Sequence, residues 1–217
     1  MMKQPRVMTL LLFLTFFYFS LDAQNNKSLE GYILLKDGSR AEGKVKIGSI
    51  TDREVKVSFQ RKGTSKKRVY KPKELLGYGF ESQDTDDLGL EDSRWIHFET
   101  IKVDYPTKPF GSTTVFVERE VEGTINLYCH YIEVRNNPKK PYRYVYYMKV
   151  EAGVYKKLEE DSFKNTAKKT FKDYPALAAR IGKKDFLYRN LDRMVRDFNY
   201  WSVNQHDKNE YRVAMKE

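Results

Sequence analysis

Side chains that could do acid–base, nucleophilic or metal chemistry are sparse in this chain. The three histidines, His97, His130 and His206, fall in no HxxxH or HExxH arrangement, and the single cysteine, Cys129, cannot build a zinc-ribbon spacing. His97 and Glu99 lie two apart in "RWIHFETIKV". On a strand they would share a face, so an acid–base pair is geometrically allowed there. Cys129 and His130 have the types of a nucleophile and its base, but neighbours on a strand point to opposite faces and cannot easily hydrogen-bond. No serine stands in a GxSxG context, and neither GxGxxG nor GxxxxGK[ST] occurs. The acidic run "DTDDLGLED" from Asp84 offers Asp86 and Gly89 where a helix–loop–helix calcium site wants them. Leu88 and Trp95 stand where such a site needs oxygen ligands, so a solvated acidic loop is the better reading. No metal and no cofactor is expected, and no residue is assigned a catalytic role.

Binding chemistry is better represented. The segment "RKGTSKKRVYKPK" carries Lys66, Lys67, Arg68, Lys71 and Lys73 after Arg61 and Lys62, with no acid among them. Such a run would meet an anionic surface, or would protect the edge of a sheet by lysine repulsion. A second basic stretch, "RNNPKKPYRYVYY", places Arg135, Lys139, Lys140 and Arg143 around a hairpin tip. Tyr142, Tyr144 and Tyr146 follow on one face of the outgoing strand. Tyrosines beside cations can stack on sugar rings or anchor a protein partner; tyrosine also simply suits strands.

These residues need a scaffold, and the pattern predicts one. "GYILLKDGSRAEGKVKIGS" reads as a strand, an Asp-Gly turn and a second strand alternating small or apolar residues with charges. "REVKVSF" places Val55, Val57 and Phe59 on one strand face, Pro72 opens a short helical turn, and a strand follows near Leu76 to Glu81. Residues 82–93 read as a loop, and five further strands run to Leu158. After residue 160 the period changes. Asp161 or Ser162 caps a helix, and Pro175 and Gly182 bracket another. Leu187, Leu191, Met194, Val195 and Phe198 form the apolar stripe of a third. The expected fold is α+β: mainly an antiparallel sheet or small barrel over about 30–158, two or three amphipathic C-terminal helices over about 161–200, and a polar tail at 201–217.

The start of the chain, "MMKQPRVMTLLLFLTFFYFSLDAQ", has the order of a secretory signal: Lys3 and Arg6, an uncharged run from Val7 to Ser20, then a small residue before the cut between Ala23 and Gln24. That run is short for a membrane span, which needs about 20 apolar residues. With 1–23 cleaved, 24–217 would be a single mature domain without a transmembrane segment, periplasmic or extracellular and outer-envelope associated. Its charge is +10 before cleavage. Intracellular nucleic acid is then not an expected partner, although the opening hairpin would suit a nucleic-acid-binding barrel. One cysteine allows no intrachain disulfide, so packing by 16 tyrosines, 13 phenylalanines and the aliphatic residues must hold the fold.

The Ala-Gln signal end, "GYILLKDGSRAEGKV", "KPKELLGYGF" and "FKDYPALAARI" with "LDRMVRDFNYW" together resemble a group of small exported proteins of Bacteroidetes-type bacteria. The resemblance implies an envelope or extracellular location and carries no known activity. The sequence therefore points to a non-enzymatic protein binding an anionic envelope component (lipid, lipopolysaccharide or acidic glycan) or an envelope protein through a basic, tyrosine-bearing face. The alternatives are an enzyme on an envelope or extracellular polymer, using carboxylates or His97, and a structural subunit of an envelope assembly.

Overall fold

A computed structural model describes residues 28–85, 91–104, 112–134, 142–150 and 154–214. The chain divides into two compact units, residues 1–97 and 98–217. The fold is α+β and mostly antiparallel sheet. The first unit holds β1 (Ser28–Leu35), β2 (Arg40–Lys46), β3 (Val57–Arg61), β4 (Lys67–Tyr70) and β5 (Leu75–Thr85). It also holds the first part of β6 (Glu91–Asp104), a strand that runs through the boundary. Its strands lie in the order β5-β1-β2-β3-β4. In the second unit the order is β10-β9-β8-β7-β6, with β7 (Ser112–Val121), β8 (Ile125–Glu133), β9 (Tyr142–Val150) and β10 (Lys156–Leu158). Both runs are open, so the sequence's alternative of a small barrel is not what forms.

The opening hairpin forms as its pattern dictates. Gly38 takes φ +83, which costs a glycine nothing, and Leu35 and Ser39 close the loop by a backbone hydrogen bond of 2.9 Å. The alternation in β2 buries Ala41, Gly43 and Val45 and exposes Arg40, Glu42, Lys44 and Lys46. Ile33, Val45, Val57, Phe59, Tyr78 and Phe80 make the unit's core, each almost fully buried.

One strand expectation fails here. Val55 is not on a face with Val57 and Phe59; it is the last residue of a helix, α1 (Ile50–Val55), and is 53% exposed. The cause is Ser49, whose Oγ accepts from the Asp52 N–H at 3.2 Å and caps the turn. The Tyr78 hydroxyl then donates to the Arg53 carbonyl at 2.7 Å and ties α1 to β5. Pro72–Glu74 forms the expected short helical turn. Part of the loop read over 82–93 is strand instead, since β5 extends to Thr85 and β6 starts at Glu91.

In the second unit, helices cover one face of the sheet. They are α2 (Phe163–Thr170), α3 (Pro175–Ala178) and α4 (Leu191–Ala214). Ile125, Leu127, Cys129, Tyr146 and Met148 on the strands meet Phe163, Phe171, Leu191, Met194, Val195 and Phe198 in one cluster. The predicted stripe is that contact from Leu191 onward: Leu191, Met194 and Val195 are fully buried, whereas Leu187 is extended, half-buried and ahead of the helix. Two details differ. α3 is only four residues long, and α4 runs to Ala214, through what the sequence reads as a polar tail. Asn199, on α4, closes the β7–β8 turn. Its Oδ1 accepts from the Ile125 N–H at 2.8 Å and its Nδ2 donates to the Ile125 carbonyl at 2.9 Å.

Candidate functional site

The registers of the first unit decide which side chains share a face. Residues directly opposite in an antiparallel pair point to the same side of the sheet. Tyr32 lies opposite Glu42 on β2 and Gly79 on β5, and Leu34 opposite Arg40. Lys44 lies opposite Glu30 and Gln60, Lys46 opposite Ser58, and Lys67 opposite Gln60. One face therefore carries Arg40, Lys44, Lys46 and Lys67, and it is the face turned away from Ile33, Val45 and Phe59. It is basic, and only partly neutralised: Arg40 Nε donates to Glu42 Oε1 at 2.6 Å, and Lys44 Nζ is 3.7 Å from Glu30.

On this charged face sits a tyrosine that is only 6% exposed. Tyr32 is covered from above. The Arg40 guanidinium carbon lies 3.8 Å from its ring centroid, and the Trp95 ring is 5.7 Å away. Its hydroxyl and His97 Nδ1 share a hydrogen bond of 2.6 Å. Gly79 makes the arrangement possible, because a Cβ there would stand 2.7–2.8 Å from the Tyr32 ring atoms Cε1, Cζ and Oη. Trp95 remains 42% exposed at the edge of the cluster. The result is an aromatic and cationic cluster of Tyr32, Arg40 and Trp95, with His97 bonded to the Tyr32 hydroxyl and 6.2 Å from the Trp95 ring. An exposed indole with charged groups at its rim is suited to binding, since it offers an apolar surface and polar recognition together.

The β3–β4 hairpin adds cations at the edge of the same sheet. Lys66, Lys67, Arg68, Lys71 and Lys73 are all exposed, as predicted residues of a basic patch would need to be. Arg68 Nη2 donates to Glu74 Oε1 at 2.9 Å and lies 4.5 Å from the centroid of Tyr70. Glu74 accepts from the Lys71 N–H and from Arg68, and these bonds hold its carboxyl below the usual range. Among the described residues no carboxylate lies within ion-pair distance of Arg61, Lys62, Lys66, Lys67 or Lys73. A cleft of about 460 Å³ opens beside α1, where Lys46, Arg53 and Lys56 stand over Val57 and Phe80. The Arg53 Nε donates to the Gly48 carbonyl at 3.1 Å.

The other predicted binding residues are described only in part. Arg135, Lys139 and Lys140 lie outside the described residues, as do Ala23, Gln24 and residues 86–90 of the acidic run. Tyr142 and Arg143 are exposed on β9. Tyr144 and Tyr146 face the helical layer instead of solvent. Tyr144 stacks on Tyr188 at 6.0 Å and 5°, and Tyr146, 8% exposed, gives its N–H to the Tyr188 hydroxyl at 3.2 Å. They serve packing, and burial pushes the phenol of Tyr146 well above its ordinary pKa. Arg143 lies on the opposite side of the strand from the three tyrosines, so the structure does not bring that set together.

His97 and Glu99 each have partners of their own. Glu99 accepts from the Tyr128 hydroxyl at 2.9 Å and the Tyr155 hydroxyl at 2.7 Å, and Arg119 Nη1 is 3.5 Å away. A carboxylate engaged by two phenols and a guanidinium is held as an acceptor. Cys129 is buried in the helix-side cluster, while His130 lies across from Val145, on the other face, so these two neighbours diverge as strand geometry requires. No group of three or more His, Cys, Asp or Glu able to hold a metal occurs among the described residues. No described helix is long and apolar enough to cross a membrane.

Comparison with protein-family models, with curated proteins and with solved structures finds no match. The site must therefore be read from its own chemistry. Sequence reasoning missed Tyr32, Arg40 and Trp95. The faint signal is parity: in "LEGYILL" Tyr32 is in phase with Glu30, the polar side of β1.

Proposed function

We propose that this is an exported, non-enzymatic binding protein that holds an anionic component of the cell envelope on the basic face of its first unit and the cationic β3–β4 edge beside it. Residues 28–82 carry thirteen lysines and arginines against seven aspartates and glutamates. The observation that carries the reading is that Arg61, Lys62, Lys66, Lys67 and Lys73 are exposed and have no carboxylate at ion-pair distance among the described residues. A set of cations left to solvent at one sheet edge creates a field that attracts polyanions. The same lysines also keep β4, the end strand of its run, from pairing with another chain.

The test is sedimentation of the purified chain with envelope fragments across a salt series. Saturable binding at low salt should fade as ionic strength screens exposed charges. The triple variant Lys66→Glu, Lys67→Glu, Lys73→Glu should lose most of it. Absence of binding at low salt, or equal binding by the variant, would overturn the proposal.

A further inference from the structure

The geometry points to Trp95 as the stacking surface for a sugar ring and to Arg40 as the group that takes an acidic substituent of that sugar. The anionic component is then an acidic glycan. This rests on the basic-face reading above and names the chemistry that reading leaves open.

The first reason is where the aromatic cluster stands. Tyr32 belongs to the charged face, yet it is buried, and what buries it is Arg40 and Trp95 rather than the unit's core. Gly79 is kept free of a side chain beneath the ring, so the cluster is seated directly on the backbone of β5. The tilted Tyr32 ring at 5.7 Å and the near-parallel His97 ring at 6.2 Å hold Trp95 in place while leaving 42% of it exposed. A fixed, flat, exposed indole costs little entropy on binding.

The second reason is the rim. Arg40 spends its Nε on Glu42, and the rest of its guanidinium fork stays available for a carboxylate or sulfate. A pyranose has an apolar C–H face and an edge of hydroxyls; the indole suits the first, and Arg40 and Glu42 suit the second. An acyl chain would want an enclosed apolar groove, and this platform has charged groups around one ring.

The third reason is extent. Arg40, Lys44 and Lys46 recur along β2 on the same face, and at 3.3–3.4 Å per strand residue this row covers about 20 Å. That length fits a polymer with repeated charge better than a single small anion. Lys67 on β4 stands on the same face two strands to the side of Lys44 and widens the basic area.

The experiment is titration of the full chain with oligogalacturonate, with a neutral gluco-oligosaccharide and with phosphatidylglycerol vesicles, read by calorimetry. A Trp201→Phe variant leaves Trp95 as the only tryptophan, so its emission reports directly on the platform. Oligogalacturonate should bind saturably and change the Trp95 emission, and the neutral oligosaccharide should bind far more weakly. Trp95→Ala should weaken oligogalacturonate binding by about ten-fold or more, the loss expected when an anchoring tryptophan is truncated, and Trp95→Phe should restore part of it. Two results overturn this inference while leaving the proposed function standing. One is oligogalacturonate binding that Trp95→Ala does not change, which would make it charge alone. The other is binding of vesicles without binding of oligogalacturonate, which would make the ligand a lipid. If no anionic probe binds and envelope fragments do not sediment with the chain, both readings fail together.

Discussion

Replacing Asn199 by alanine should destabilise the second unit by about 2–4 kcal/mol. The figure follows from what the side chain holds. Asn199 is 8% exposed and satisfies both the N–H and the C=O of Ile125, itself 1% exposed, at 2.8 and 2.9 Å. Each of these buried groups would lose its partner on that side, at about 1–3 kcal/mol apiece, reduced where water can enter the space left behind. The third bond, from Nδ2 to the Glu122 carbonyl, is 3.4 Å long and adds little. In the parent the amide is seated closely over Gly123, where a Cβ would stand 2.4 Å from Asn199 Nδ2. Thermal unfolding followed by near-ultraviolet circular dichroism should show the loss as a drop of about 6–12 °C. Asn199→Leu is the sharper variant. It keeps the volume filled but offers no hydrogen bond, so it should lose about as much as alanine; Asn199→Asp, which can accept but not donate, should lose about half. If Asn199→Leu were as stable as the parent, the polar bonds would not be what holds the turn.

Two further outcomes follow from the packing. Burial raises the phenol pKa of Tyr128, Tyr131, Tyr146 and Tyr155, and pushes that of Tyr188 up to about 12. A phenol harder to ionise when folded contributes stability that is fully present below about pH 10, its unfolded pKa, and lost as pH climbs through the folded value. Tyrosinate absorbance in the folded chain should therefore rise in two waves, exposed residues first, with unfolding accompanying the second. A single wave near pH 10 from all the tyrosines would contradict the assigned burial. Gly79→Ala should push the Tyr32 ring from its seat, destabilising the first unit by about 1–3 kcal/mol in urea unfolding, and Trp95 should become more accessible to a fluorescence quencher. Unchanged stability and quenching would mean that Tyr32 does not rest on that backbone.

Periodicity made much of the scaffold readable in advance. Asp37-Gly38 and the alternation from Ala41 to Lys46 specify a hairpin because both are local signals, and Leu191, Met194, Val195 and Phe198 specify a helix face for the same reason. α1 was hidden by Val55-Lys56-Val57, which alternates like a strand; the cap at Ser49 overrides it within one turn. The end of α4 was hidden for the opposite reason, since the apolar stripe closes with Trp201, packed on Tyr174 and Phe198, while the helix continues on mostly polar residues. Tyrosines on β9 look alike whether they face solvent or a helix, and only the placement of Tyr188 distinguishes the two. The assembled platform was beyond reach, since parity marks only Tyr32. Tyr32 and Trp95 are far apart in the chain and meet only because β1, β5 and β6 are neighbours in the strand order and Gly79 leaves room between them.

The order in which the second unit's layers occur along the chain sets a problem for synthesis. Val121, Leu127, Tyr146 and Met148 are made first, and Phe163, Leu191 and Val195, which cover them, emerge later. Until about residue 198 has left the ribosome, an apolar sheet face has nothing native to rest against, and hydrophobic surface exposed during folding invites association with other chains. The first unit has no such delay, because its strands pair within residues 28–97. Truncations before α4 should therefore yield chains whose first half is formed and whose second half seeks a chaperone or another copy of itself.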